Sequence, residues 1–400
     1  MIKRVLGLGL LVFAGLGGFF HLAAARAGAQ TETILHSFGS IPDDGAFPHG
    51  GLVYKNGNLY GTANANTPNG SPGNVFEITA EGQYKVLYIF GSQSGDGTTP
   101  CDFGGLVFRG GKIYGTALYG GAAGSFGTVF DLTLNGKEKV LHTFAGQPGD
   151  GMYPFAGVIF DKAGNLYGTT EEGGPYNSSC LYGCGTVYEL TKAGEEKVLY
   201  SFQGQSQDGV FPDANLSFDK AGNLYGVTSA GGLYEHGTVF ELSPTGVEKV
   251  LYSFNSQSGD GNVPYSGVVF GKKGIMYGTT FYGGAYGQGT VFELSPTGVE
   301  KILYSFGGQA SDGINPYGNV VFDKKGNLYG STFAGGAHGQ GTVFELSPTG
   351  EEKILYTFGS QAGDGNTPLG DLVFDTAGNL YGVTENGGAY GFGTVFEITP

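Results

Sequence analysis

The sequence is poor in positive charge. It has 20 lysines and arginines against 35 aspartates and glutamates, a formal net charge of −15. Loss of Lys3, Arg4 and Arg26 with the export signal predicted below would take −15 to −18. Nucleic acid and anionic membranes would be repelled by such a surface, so neither is expected as a partner. The acidity is compatible with cation binding but does not establish it.

Apolar runs long enough to span a membrane are absent after residue 30. Before that point, two positive charges precede an apolar stretch over 5–22, and small residues end at Ala29. This order is typical of a secretory signal peptide. We predict a signal over 1–29, with retention as an uncleaved anchor as the alternative, and a single domain over 30–400. The mature protein is then expected to be a soluble monomer that is secreted, periplasmic or held at the cell surface.

Cysteine is scarce, with three residues, Cys101, Cys180 and Cys184. The two that lie four residues apart could close a small disulfide in an oxidising compartment. Cys101 would then be free or paired between chains. A metal site built from three such scattered cysteines is disfavoured, and no metal ligand set is predicted.

Helical periodicity is also absent, and a repeat of about 52 residues takes its place. The segment Glu300–Phe306 returns as Glu248–Phe254, Glu196–Phe202 and Glu352–Phe358, with three looser copies. An Asp-Gly pair follows each of the seven copies, and a proline stands three residues beyond each glycine. The aspartates are Asp44, Asp96, Asp150, Asp208, Asp260, Asp312 and Asp364. The 79 glycines recur at fixed places, so they mark turns in an ordered array.

Each copy contains four short runs rich in β-branched and aromatic residues and bounded by Gly, Pro and Asn. That pattern predicts four antiparallel strands, and units of this size fit propeller blades. The chain starts with a fourth strand, Glu32–Phe38, and ends on a third strand, Gly393–Pro400. Pairing the two would close the ring and remove an exposed edge. The sequence therefore predicts an all-β, seven-bladed β-propeller.

The motifs of the repeat also resemble a known family. Gly-Asn-Leu-Tyr-Gly-x-Thr, followed by Gly-Gly-Ala-x-Gly-x-Gly-Thr-Val-Phe-Glu-Leu-Ser-Pro-Thr-Gly at 326–350, is similar to the bacterial GloVer repeat of Gloeobacter/Verrucomicrobium type. The resemblance covers all seven copies. It implies export and a repeat architecture, and it implies no particular activity.

Two sets of loops would lie on opposite faces of such a propeller. Long, variable loops fall on one face, together with every Asp-Gly pair, so we expect any binding there. The seven aspartates have two interpretations. They could form a ring that binds a cation, with calcium as the cofactor in question, or each could bond its own backbone in a turn. A calcium ion needs six to eight converging oxygens, so the turn interpretation is favoured and no cofactor is predicted.

Aromatic and charged residues in the same loops are the remaining candidates for a binding face. Tyrosine rings on a polar surface suit sugar rings or peptide side chains, and packing between blades is the alternative interpretation. These candidates are Tyr119, Tyr176, Tyr234, Glu235, His236, Tyr282, Tyr286 and Tyr390.

Catalytic motifs are absent from the sequence. It contains no Gly-x-Ser-x-Gly, no His-Glu-x-x-His and no cluster of His and carboxylates, so no catalytic residue is predicted. We expect a non-catalytic binding or structural scaffold, with a glycan or a cell-surface protein as partner. The alternative is a hydrolase or lyase that acts on polysaccharide, with acids such as Glu171, Glu172 and Glu385 in one cleft. A site on the axis itself would be sevenfold symmetric, which favours a scaffold of near-identical blades.

Overall fold

The computed structural model describes residues 31–64, 72–100, 104–122, 124, 126–146, 149–176, 178–205, 207–255 and 259–399. The predicted signal segment and Cys101 lie outside the described residues. The described chain forms β-strands and a 3₁₀ turn at Lys272–Gly274. Within those ranges there is no helix with the length and apolarity needed to cross a bilayer.

Seven four-stranded antiparallel sheets make up the fold, and we name their strands A to D from the axis outwards. The A strands are Val53–Lys55, Val107–Arg109, Ile159–Phe160, Ser217–Phe218, Val269–Phe270, Val321–Phe322 and Gly365–Phe374. The B strands are Asn58–Ala63, Lys112–Gly120, Leu166–Thr170, Leu224–Thr228, Met276–Thr280, Leu328–Gly335 and Leu380–Gly387. The C strands are Asn74–Ile78, Thr128–Thr133, Thr186–Leu190, Thr238–Leu242, Thr290–Leu294, Thr342–Leu346 and Thr394–Thr399. The D strands are Tyr84–Ile89, Glu138–Thr143, Glu196–Ser201, Glu248–Ser253, Glu300–Ser305, Glu352–Thr357 and, for blade 7, Thr31–Ser37.

Short additional strands lie where the chain crosses between blades. Gly151–Met152, Gly209–Val210 and Gly261–Asn262 pair with Glu172–Gly173, Ala230–Gly231 and Tyr282–Gly283. In blades 2 and 6 the crossing strands, Gly97–Pro100 and Gly313–Pro316, pair with the extended B strand.

The ring closes in blade 7, as predicted from the two ends of the repeat array. The strand Thr31–Ser37 pairs antiparallel with Thr394–Thr399, with a register that runs from Thr31 opposite Thr399 to Ser37 opposite Thr394. The N-terminal strand therefore completes the last blade. The seven-bladed β-propeller expected from the sequence is confirmed.

Aromatic pairs between neighbouring blades form the core. Phe254 follows the D strand of blade 4, and its ring meets that of Phe292 in blade 5 edge-on, at a centroid distance of 5.3 Å. Phe292 is only 1% exposed. The equivalent pairs are Phe38–Phe76, Phe90–Phe130, Phe144–Tyr188, Phe202–Phe240, Phe306–Phe344 and Phe358–Phe396. A Cβ on Gly278 would come within 2.6 Å of the Phe292 ring, so glycine on the B strand leaves room for it.

A residue with left-handed backbone conformation holds each segment that crosses from one blade to the next. Seven non-glycine residues, each directly before the repeated proline, have φ between 51° and 61°. In blade 5 this residue is Val263: its N–H donates to the His236 carbonyl of blade 4, and its own carbonyl accepts from Phe281 N–H. The residue just past the B strand is thereby held beside the axis. The seven left-handed residues before the repeated prolines are Phe47, Thr99, Tyr153, Phe211, Val263, Asn315 and Thr367.

Candidate functional site

Three polar side chains lie at the loop-side end of the central channel. At the position before the inner-strand apolar run, four blades have glycine, while blades 4, 6 and 7 have Asn215, Asn319 and Asp371. Asp371 accepts hydrogen bonds from the Asn319 backbone N–H (2.7 Å) and side-chain amide (2.9 Å). Asn215 accepts one from Gly157 N–H across to blade 3. These three residues also line the central channel, a cavity of about 310 Å³ whose other walls are largely the apolar inner-strand residues.

On the loop side of these three residues, side chains from several blades surround the axis in a region that we call the mouth. Its members are Glu171, Asp213, Tyr265, Phe281, Tyr317, His49 and Glu385. Its acidic part comes from blades 3 and 4. Asp213 is 8% exposed and accepts a hydrogen bond from the Ser229 hydroxyl (2.7 Å), while its other carboxylate oxygen has no hydrogen-bond partner among the described residues. Burial, and then the charge of Glu171, raises the pKa of Asp213 well above its usual range. Burial and the neighbouring Glu172 raise the pKa of Glu171 to about 7.

The aromatic part of the mouth comes from blades 5 and 6. The rings of Tyr265 and Tyr317 stack at 5.2 Å between centroids, and Phe281 meets both rings edge-on. Burial raises the pKa of the Tyr265 hydroxyl, and the carboxylates of Asp213 and Glu171 add to this. The acids and the aromatic rings are therefore neighbours across the blade 4–blade 5 boundary.

A third group comes from blades 7 and 1. His49 Nε2 lies 3.2 Å from a carboxylate oxygen of Glu385. The other ring nitrogen, Nδ1, lies 3.1 Å from the Asn64 side-chain amide. Acidic, aromatic and imidazole groups thus occupy different sectors of the mouth. The expectation that a site at the axis would be sevenfold symmetric is wrong, because the residue facing the mouth differs from blade to blade.

The Asp-Gly aspartates lie elsewhere, and their side chains are bonded by their own crossing, by the outer strand before it, or by both. Asp260 accepts hydrogen bonds from the backbone N–H groups of Gly261 (2.6 Å) and Asn255 (3.0 Å), and from the Tyr252 hydroxyl (2.9 Å) of the preceding D strand. Asp364 is bonded in the same way to Gly365, Ser360 and Tyr356. This geometry supports the turn interpretation, since these carboxylates are held by donors of their own crossing and of the outer strand before it.

The candidate tyrosines are all exposed, at 44–56%, but only two of them lie at the mouth. Tyr282 meets Phe281 edge-on and Tyr119 meets Tyr153 edge-on, so both extend the mouth. The loops that carry Tyr234, Tyr286 and Tyr390 lie over the outer strands instead. There, backbone N–H groups of Leu233, Ala285 and Ala389 donate to serines of the D strands: Ser253, Ser305 and Ser37.

Two other candidate groups also lie away from the mouth. Glu235 and His236 belong to the same outer loop as Tyr234, and Glu235 is exposed with a left-handed backbone. Tyr176 donates its hydroxyl to the Gly146 carbonyl. Cys180 and Cys184 are joined by a disulfide, and Cys184 is fully buried against the core of blades 3 and 4.

Sequence reasoning missed the central residues of the mouth. Asp213, Tyr265, Tyr317 and His49 were not among the candidates, although each directly follows the repeated proline. Reading that one position down the repeats would have shown that it changes in almost every blade. The features shared by all copies do not single out this position, because they recur in every blade.

The architecture and the divergent mouth define a β-propeller that carries one asymmetric loop face. The repeat identifies the family: the Gloeobacter/Verrucomicrobia repeat matches residues 12–217, 102–311 and 214–400, and the chain belongs to that family. No curated protein matches the sequence.

Solved structures share the fold at low identity. The extracellular domain of BT3049 from B. thetaiotaomicron, named as a hybrid two-component system, has a TM-score of 0.54 at 14% identity, over 93% of this chain and 41% of that one. A puromycin hydrolase has a TM-score of 0.49 at 12% identity, over 84% and 50%. A luciferin-regenerating enzyme has a TM-score of 0.44 at 11% identity, over 93% and 96%. At such identities the likeness concerns the fold alone.

Proposed function

We propose that the protein is an exported glycan-binding propeller and that the mouth is its binding site. The observation that carries this proposal is the proximity of acids and aromatic rings around Tyr265, whose hydroxyl feels the charges of Asp213 and Glu171 while its ring stacks on Tyr317. Aromatic faces pack against the C–H faces of sugar rings, and carboxylates accept hydrogen bonds from sugar hydroxyls. Such a site suits one polyhydroxylated ligand better than a flat protein surface.

The asymmetry of the mouth supports this proposal over a purely structural role. A spacer would need only the features that repeat, namely the interblade aromatic pairs and the Asp-Gly turns. The mouth instead buries an acid, Asp213, with one unpartnered oxygen, at a cost of several kcal/mol for a buried carboxylate that stays ionised. No other blade has an acid at this position, so the repeat itself does not require the buried carboxyl group of Asp213.

The test is binding of the mature chain (30–400) to a panel of glycans, with calcium and with a chelator. Tyr282→Ala removes an exposed ring beside Phe281, so we expect about a tenfold loss of affinity, or about 1.4 kcal/mol. Tyr286→Ala is the matched control: it removes the same side chain four residues further on, over the outer strand, and should leave affinity unchanged. Equal losses in both variants, or no glycan bound by the wild type, would refute the proposal.

A polysaccharide hydrolase is the second candidate, and the neighbouring carboxyl groups of Glu171 and Asp213 favour it. Their raised pKa values allow one group to hold a proton at neutral pH while the other is charged, as general acid–base catalysis requires. Product release from any bound glycan tests this candidate. Turnover that is lost in Glu171→Gln with binding retained would establish the hydrolase, and binding without turnover would exclude it.

A further inference from the structure

The same three positions meet at every junction between blades, and we call them the junction trio. The first is a D-strand residue, the second is the aspartate of the Asp-Gly pair, and the third begins the D strand of the next blade. At most junctions the first is a tyrosine whose hydroxyl donates to the aspartate, as Tyr304 does to Asp312 at 3.1 Å. The third is then a glutamate, which is Glu352 at that junction.

The junction of blades 2 and 3 is different, because a histidine takes the place of the tyrosine. Its trio is His142, Asp150 and Glu196, and one ligand atom from each lies within 4.8 Å of the other two. His142 Nε2 is 3.9 Å from the nearest Asp150 oxygen, which is too far for a hydrogen bond. His142 Nε2 and Glu196 Oε1 are both shielded from solvent, and neither has a hydrogen-bond partner in the described part of the chain.

A second histidine provides an internal comparison. At the junction of blades 7 and 1 the trio is His36, Asp44 and Tyr84, with tyrosine in place of the glutamate. His36 Nε2 bonds directly to Asp44 at 2.8 Å, and its ring stacks on Tyr84 at 3.7 Å between centroids. The Nε2 atom of His36 is therefore already paired with a carboxylate oxygen. His142 is held apart from its aspartate, and its free nitrogen faces two carboxylates.

One imidazole nitrogen and two carboxylate oxygens form a ligand set for a borderline-soft divalent metal ion. Zn²⁺ binds such atoms at about 2.0–2.2 Å, in sites where three protein ligands leave a position for water. Calcium needs six to eight oxygen ligands, which three side chains do not provide. The present separations require the side chains to close by about 1 Å around the ion, which rotamer changes can supply.

Backbone groups already orient one of the ligands. Asp150 accepts hydrogen bonds from Gly151 N–H and Ala145 N–H, each at 2.7 Å and each to a different oxygen. Such outer contacts fix the direction in which a ligating carboxylate points. Each oxygen keeps a lone pair for a metal ion.

We propose that His142, Asp150 and Glu196 bind one divalent transition-metal ion, with Zn²⁺ as the best fit, between blades 2 and 3. The ion links the D strand of blade 2 to that of blade 3 and neutralises the two facing carboxylates. It is a site of structural cross-linking that lies apart from the mouth.

The experiment is titration of the metal-free mature chain with Zn²⁺ by calorimetry, and with Co²⁺ by visible absorption. We expect one tight Zn²⁺ per chain, Co²⁺ d–d bands that indicate a nitrogen–oxygen ligand set, and a higher thermal midpoint with metal. His142→Tyr installs the residue that other junctions carry, so the blade should fold, and the site should be lost. His36→Tyr is the matched control and should keep both the stoichiometry and the Co²⁺ bands.

A second variant protects against a folding defect in the first. Glu196→Gln is isosteric and removes one ligand charge, and we expect at least a tenfold weaker affinity for Zn²⁺. An unchanged stoichiometry and spectrum in His142→Tyr would overturn the proposal, and so would a wild-type chain that binds no Zn²⁺. Loss of the site in His36→Tyr as well would assign the ion to another place.

Discussion

The periphery and the mouth of the loop-rich face are built on opposite principles. At the periphery most blades repeat one arrangement, in which an aspartate such as Asp260 is held by its own crossing and by the tyrosine of the neighbouring outer strand. At the mouth, the equivalent position after the repeated proline holds Asp213 in blade 4 and Tyr265 and Tyr317 in blades 5 and 6, next to residues of different chemistry. The comparison indicates that the residues shared by the repeats maintain the ring, while the residues that differ between repeats are available to bind a ligand.

Breaking the shared core should have the largest effect. Phe292→Ala removes a ring that is 1% exposed and packs on Phe254. We expect a loss of about 3–5 kcal/mol in the free energy of unfolding, measured by urea denaturation. Tyr286→Ala removes an exposed ring of the outer loop and should change stability by less than about 0.5 kcal/mol. Similar small losses in both would show that the interblade pairs do not carry the ring.

A pair of aspartate variants sharpens the contrast between the two regions. Asp260→Ala leaves two backbone N–H groups and the Tyr252 hydroxyl unpaired, so we expect a loss of about 1–3 kcal/mol. Asp213→Asn removes a buried carboxyl group whose charged form is disfavoured by burial and by Glu171, so stability at neutral pH should not fall, while ligand binding should. The measurements are urea denaturation and glycan binding of each variant. The reverse assignment, in which Asp213→Asn destabilises the chain and leaves binding intact, would contradict the account.

Stability should also depend on pH through the repeated glutamates of the outer strands. Burial, and then the charge of Asp260, raises the pKa of Glu300 to about 7, and Glu32, Glu138, Glu196, Glu248 and Glu352 are raised to the same value. The unfolded pKa is about 4.3, so between about pH 4.3 and 7 the folded state holds more protons. Stability is therefore highest near the lower end of that window and falls as pH rises through it.

The thermal midpoint of the metal-free chain should thus be higher near pH 5 than near pH 7.5. Glu300→Gln should raise the midpoint at the higher pH and have little effect near pH 4. Aspartates in the turns between A and B strands change stability in the opposite direction, at pH values below this window. In Asp323, burial raises the pKa, but backbone N–H donors outweigh it and hold the pKa below its usual value. A midpoint that rises steadily from pH 5 to 7.5 would contradict the assignment.

The smallest effect concerns backbone strain at the crossings. Val263 is β-branched and has φ of 55°, a conformation that asparagine tolerates and that Asn315 occupies in blade 6. Val263→Asn should therefore stabilise the chain by about 0.5–1 kcal/mol in urea denaturation. Replacement of the exposed Val299 by Asn, outside the left-handed region, serves as the control. Destabilisation by Val263→Asn would mean that side-chain packing outweighs the strain.

The sequence predicted the fold well because the fold depends on what recurs. The hydrophobic runs and the Asp-Gly turns each appear seven times, and each repetition strengthens the prediction of a blade. The strands at the two ends of the chain then predict how the ring closes. The site depends on single residues that meet only in three dimensions. Asp213 and Glu171 lie 42 positions apart in different blades, so no local motif joins them.

The junction trio illustrates the same limit. Glu196 lies 46 positions beyond Asp150, and nothing in either repeat taken alone brings them together. In the ring, the start of one D strand lies beside the end of the preceding one, as the closeness of His142 and Glu196 shows. Local pattern could predict each residue's strand, while the contact follows from the stacking of blades.

The most direct test of the central claim is hydrogen exchange of the mature chain with and without a glycan that it binds. We predict protection in the segments 168–173, 211–215, 263–267 and 278–283, which surround the mouth, and no change in the outer loops 232–237 and 284–289. Protection confined to the outer loops would contradict the account and assign recognition to the repeated periphery.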